Sequence, residues 1–179
     1  MQCYAFRILV NVVNQNVLRC AYFANIYSHL RYGIIFWGNS SHILRTFRIQ
    51  KRIVRIICKS ASRAPCRPLF RKLNILTLPS MYIYEILLFV KQKLESRENI
   101  FLTNGQIHEY NTRNSNNLYQ PPLSTSLFQN STYNMGIKLF NVLPIHIKEA
   151  KSFNIFKKCL SNYLLEHCFY SIKEYKDFH

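Results

Sequence analysis

Glycine and aspartate are the first scarcities in this chain. Only 4 of the 179 residues are Gly, and neither a glycine-rich phosphate loop nor a dinucleotide-binding spacing occurs. Asp occurs once, at Asp177, and the Glu residues are scattered. Two-metal polymerases and nucleases hold their cations with clustered carboxylates, so this chain cannot build such a site alone. Acid is absent altogether before Glu85. The six cysteines form no CxxC pair, which argues against structural zinc; the default is small reduced thiols in a core. No run approaches the ~18 uncharged apolar residues of a membrane span. The longest candidates are Tyr32 to Trp37 and Met81 to Val90, and Glu85 interrupts the second. Arg7 breaks the first apolar run, so the start does not read as a secretory signal. The expectation is an intracellular chain, in cytoplasm and/or nucleus, with no membrane partner and no small-molecule substrate.

Basic and aromatic residues are what the chain has in excess. Lys and Arg number 24 against 8 acids, a formal charge of +16, beside 12 Tyr and 13 Phe. An apolar fraction of 49% excludes a wholly disordered chain. The charge is lopsided: residues 1–84 hold thirteen Lys/Arg and no acid. Such a half cannot neutralise itself with internal ion pairs. A polyanion is the natural counter-charge, and nucleic acid is favoured over a merely solubilising surface.

The apolar spacing predicts a mainly α fold. Short helix is expected over 3–13, a longer one over 16–37, and the clearest amphipathic helix over 42–60, with its N-cap at Ser40 or Ser41. In that helix Arg45, Arg48, Lys51, Arg52, Arg55 and Lys59 fall in one arc of about 120°. Phe47, Ile49, Ile53, Val54, Ile56 and Ile57 are assigned to the opposite side. No acid interleaves the six like charges, so the stripe reads as phosphate-facing, with a solvated face as the bland alternative. Arg63, Arg67 and Arg71 extend the basic run past Pro65 and Pro68 into a short helix. A further helix is expected over 79–95. Residues 96–132, dense in Asn and Ser, read as a loose, partly disordered linker. Residues 133–179 read as a small helical tail, ordered over 133–144, helical over 153–167 with Ser152 as N-cap, and fraying from 171.

Trp37 is assigned to the core, with base stacking as its alternative. His108, Tyr110 and Arg113 are candidates for a polar clamp on nucleic acid, or equally a turn packed on helices. His29, His42 and His146 have no acidic neighbour to support a general base. Lys157 and Lys158 are assigned to a solvated face. No residue is expected to be catalytic or to bind metal.

Five stretches carry a family resemblance: 32–38 (YGIIFWG), 49–57 (IQKRIVRII), 69–79 (LFRKLNILTLP), 108–113 (HEYNTR) and 133–144 (YNMGIKLFNVLP). In order and spacing they resemble the C-terminal part of reverse transcriptases of non-LTR retrotransposons, especially jockey-like elements of arthropods. The resemblance implies a thumb-like helical bundle over 1–95 that grips an RNA or RNA–DNA template–primer duplex through phosphates. It implies no cofactor here, since the Mg of the full-length family enzyme is held by palm aspartates that this sequence lacks. Met1 would fall inside the thumb, implying a truncated element copy or a split gene. A decayed copy without a role, and an unrelated basic helical interaction module, stand as alternatives.

Overall fold

The structure is a computed structural model of the chain, and it describes residues 2–96, 100–108, 113–122 and 124–178. It is mainly helical, with no strand among the described residues beyond one isolated antiparallel bridge, Thr103 to Leu118. The residues group into two compact units: Met1–Tyr82 with Tyr163–Ile172, and Ile83–Asn162 with Lys173–His179. This division differs from the boundaries at 95 and 132 that composition alone marks.

In the first unit, α1 (Gln2–Val12) packs on α5 (Ile43–Ile57). Between them α2 (Gln15–Ala21) runs through a π-helical stretch, Tyr22–Tyr27, into α3 (Ser28–Arg31). Asn14 starts this rod, its Oδ1 accepting from the Val17 N–H at 2.9 Å. The rod ends sooner than the expected 37, because Gly33 turns left-handed at φ +59° and a new turn, α4 (Ile34–Trp37), begins. Helix α5 also starts and stops inside its expected bounds. His42, not Ser40 or Ser41, precedes it, no side chain caps it, and a left-handed Lys59 at φ 50° ends the run. The unit continues with α6 (Arg67–Leu73) and the first turn of α7 (Leu78–Glu95). Phe6, Leu18, Tyr22, Phe47, Ile53, Val54, Ile57 and Phe70 are buried in this unit.

One buried polar side chain links three of these elements. Gln50, 1% exposed, lies on the buried face of α5. Its Nε2 donates to the Tyr22 hydroxyl and to the Leu76 carbonyl, both at 2.9 Å, and its Oε1 accepts from the Leu78 N–H at 2.8 Å. The last bond gives an acceptor to an N–H at the start of α7 that has no partner within the helix. Thr77 adds a second tie, donating to the Phe169 carbonyl of the returning segment.

In the second unit the rest of α7 is joined by α8 (Asn104–Ile107), α9 (Ser126–Gln129), α10 (Thr132–Val142), α11 (Ile145–Lys148), the first part of α12 (Phe153–His167) and α13 (Ile172–Asp177). Ser152 accepts from the Ile155 N–H at 3.3 Å, the cap expected of it. The described parts of 96–132 are tied down where a loose linker was expected. Phe101 is buried and its ring stacks on Tyr133, centroids 5.0 Å apart. Asn141 imitates a backbone strand, exchanging two 2.8 Å bonds with the N–H and carbonyl of Leu118. Thr103 and Gln106 form a reciprocal capping box. The C-terminal tail differs from expectation in the same way: α13 buries Tyr175 completely, and its hydroxyl donates to the Leu139 carbonyl at 3.2 Å. In the first case Asn and Ser serve packed loops as well as loose ones. In the second, a single aromatic in a polar run supplies enough apolar area to anchor a turn.

Candidate nucleic-acid interface

The first unit carries thirteen Lys/Arg and one acid, Glu166. Its basic side chains separate by their surroundings. Arg45, Arg48, Arg52 and Arg55 of α5 line an open groove of about 620 Å³ together with Arg7 of α1. Ile49, Ile56, Ser60 and Ser62 complete the lining, and no carboxylate is among it. Arg7, Arg45, Arg48 and Arg52 are exposed, and their guanidinium groups make no hydrogen bond or ion pair among the described residues. Arg55 is half-buried, and its Nε donates to the Ala64 carbonyl at 2.9 Å, which holds the loop after α5.

Nothing in helix energetics places these charges. Arg45 sits in the first turn of α5, where the helix dipole disfavours a cation, and that turn holds no acid. Arg48 and Arg52 are one turn apart, a spacing at which like charges repel.

The remaining basic candidates lie elsewhere. Lys51 turns from the groove, its Nζ 4.7 Å from the Phe47 ring centroid and 5.3 Å from that of Tyr170. The Arg67 guanidinium lies 4.6 Å from the Tyr170 centroid. Both cations therefore meet an aromatic face. Burial holds the Tyr170 phenol up at about 12, with Cys66 raising it further and Arg67 working against the shift. Arg71 is exposed. Burial pushes the Cys168 thiol up, while Arg71 and then Arg67 pull it back. Lys59 and Arg63 are exposed and outside the groove lining.

Two assignments on α5 need correction. Ile49 is 48% exposed, and with Ile56 it lines the arginine groove rather than the core. Both sit about 80–100° from Arg48 around the helix, on the flank of the cationic arc. Arg7 is the residue that sequence reading missed. It lies some forty residues from the stripe, and only the packing of α1 on α5 brings it there.

The second unit contains a different groove, about 450 Å³ and free of charged side chains. His108 lines it beside Asn104, Asn117, Tyr119 and Gln120, with its ring edge-on to Tyr119 at 5.8 Å. Arg113 is exposed and does not line it, and Tyr110 lies outside the described residues. The structure therefore does not assemble the three-residue clamp from its described members. Lys157 and Lys158 are exposed, and Trp37 is half-buried.

Of the six free cysteines, Cys66 and Cys168 are buried, whereas Cys20 is exposed and the others are half-buried, so the core-thiol expectation fits only part of the set. No group of three or more His, Cys, Asp or Glu among the described residues is placed to hold a metal ion. No single described helix is long and apolar enough to cross a membrane; α6 and α7 reach that composition only as a pair bent by 55°. No family model, curated protein or solved structure matches the chain.

Proposed function

We propose that this chain grips nucleic acid, and that its partner is an RNA or RNA–DNA template–primer duplex bound through phosphates, as in the thumb-and-tail region of the non-LTR reverse transcriptases it resembles. The observation that carries the reading is the groove in which Arg7, Arg45, Arg48, Arg52 and Arg55 converge with no carboxylate. Guanidinium forks match phosphate oxygens in pairs, and phosphate contacts fix position without reading sequence. A polymerase that moves along its template needs that indifference. The residues present do not fit the Mg of the family enzyme, since one Asp and scattered Glu give it no clustered ligands, so this reading contains no catalytic step.

The test is a salt titration of binding to a labelled RNA–DNA hybrid, read by fluorescence anisotropy, for the wild type and for a triple variant. Arg45→Gln, Arg48→Gln and Arg52→Gln remove three unpaired, exposed charges and keep helix propensity. Arg55 is left alone because it holds the Ala64 carbonyl. Each lost contact should flatten the slope of log affinity against log salt by about 0.7–0.9, the span between single-strand and B-form values, so by up to about 2–2.7 in all. Equal slopes for the two proteins would refute the reading.

A further inference from the structure

The stretch from Tyr32 to Gly38 is built as a rigid turn, and the arginine groove does not use it. Gly33 is left-handed at φ +59°. The Trp37 indole Nε1 donates to the Tyr32 carbonyl at 2.9 Å, and the Phe36 N–H donates to the Gly33 carbonyl at 2.9 Å. Ile34 is buried, and Gly38 lies so close to the Tyr82 ring and the Ile34 carbonyl that no Cβ fits there. The turn is thus pinned on its inner side by Ile34 and Gly38. Within it Tyr32 and Phe36 are 85% and 79% exposed, more than any other large apolar side chain of the first unit. Exposed rings on loose loops are common, but two on a turn with this many fixed points mark a surface held ready for something.

The charge of the unit indicates what that is. With thirteen cations and one acid, its partner is a polyanion. An aromatic face binds a nucleobase by stacking, whatever the base. In a duplex those base faces are already covered by their neighbours, so only an unpaired strand can offer them. We infer that Tyr32 and Phe36 form a stacking platform for unpaired bases of single-stranded RNA or DNA, a site separate in its residues from the arginine groove.

The experiment compares wild type, a Tyr32→Ser/Phe36→Ser double variant and a Tyr32→Trp/Phe36→Tyr double variant. Both side chains are largely exposed, so the substitutions leave the core intact; circular dichroism and thermal melting check this. The probes are a labelled single strand of about 12 nucleotides, within the usual site size, and a duplex RNA–DNA hybrid. The serine variant should lose roughly tenfold or more of single-strand affinity and under about twofold of duplex affinity. The aromatic variant should keep both. Trp37, the one tryptophan and next to Phe36, should be quenched by the single strand in wild type. No single-strand binding by wild type, equal losses on both probes, or no loss would each overturn the platform. So would a serine variant whose only change is loss of self-association on light scattering. The groove is judged separately, by the duplex salt slope of the arginine variant, so failure of one leaves the other legible.

Discussion

Gln50→Leu is the substitution whose effect on this fold is most fully determined by its contacts. The leucine side chain is close in size and suits the apolar face of α5 on which it would sit. What it removes is three hydrogen bonds at a site 1% exposed. The Leu76 carbonyl and the Leu78 N–H lose partners, as does the oxygen of Tyr22, itself 0% exposed. A buried group left unpaired costs about 1–3 kcal/mol. Against three such losses stands roughly 1 kcal/mol gained by burying a less polar side chain. The net expectation is a destabilisation of about 2–8 kcal/mol, a large share of the roughly 5–15 kcal/mol that holds an ordinary domain folded. Urea denaturation followed by circular dichroism reads it. With m near 1–3 kcal/mol/M, the midpoint should fall by about 0.7 M or more.

Gln50→Glu separates hydrogen bonding from shape. It keeps an acceptor for Leu78 but has no N–H for the Leu76 carbonyl, and when ionised it adds a buried charge. Burial raises a carboxyl above its usual ~4.3, so the folded state prefers the protonated form. The deficit relative to wild type should therefore be largest at neutral pH and shrink as pH falls through the raised value. A midpoint for Gln50→Leu within about 0.5 M of wild type, or a Gln50→Glu deficit that does not change with pH, would refute this account.

Gly38→Ala should destabilise through space alone, because the glycine has an ordinary φ of −68°. A Cβ there would stand 2.6 Å from the Ile34 carbonyl oxygen and 2.8 Å from the Tyr82 Cγ. Overpacking of this kind costs about 1–3 kcal/mol, or about 2–12 °C in the melting temperature, measurable by scanning calorimetry. Spectrophotometric titration should show the phenols of Tyr163 and Tyr170 ionising only near pH 12, because burial disfavours their charged forms. Their contribution to stability is then complete below the unfolded value near 10 and is lost as pH rises toward 12.

How much of this was legible in sequence depends on the distance over which each feature is specified. Helices α5, α7 and α12 followed from the spacing of their own apolar residues, a local signal. The basic arc of α5 was legible for the same reason. Its division into groove-lining arginines and ring-bound cations was not, because Tyr170, which draws Lys51 and Arg67, comes from the far end of the chain. Gln50 left a signal that could have been read. It is a polar residue on the wheel position between Ile57 and Val54, where burial is certain and partners are therefore obligatory. The described parts of 96–132 are held more firmly than their composition suggests, because Asn and Ser are enriched in loose chains and in packed loops alike. What distinguishes them here is the Phe101 ring, stacked on Tyr133, and the Leu118 backbone, paired with the Asn141 amide, and both partners lie further on. Tyr175 carries the same lesson for α13.

The arginine groove is best understood by asking what the first unit would be like without a partner. Along α5 the pairs 45–48, 48–51, 48–52, 51–55 and 52–55 are like charges three or four residues apart. At about 0.2–0.5 kcal/mol each they oppose the helix by about 1–2.5 kcal/mol at low salt. Arg45 adds a cation at the wrong end of the dipole. Relief within the unit reaches only part of the set: Lys51 through two aromatic rings, Arg55 through the Ala64 carbonyl. Arg45, Arg48 and Arg52 have none among the described residues, and the fold brings Arg7 to join them instead of a carboxylate. A groove that concentrates unrelieved charge is unfavourable alone and favourable against phosphate, where each contact also releases condensed counterions. The electrostatic cost inside the unit and the expected affinity outside it thus have a single origin, the absence of acid from the first eighty-four residues.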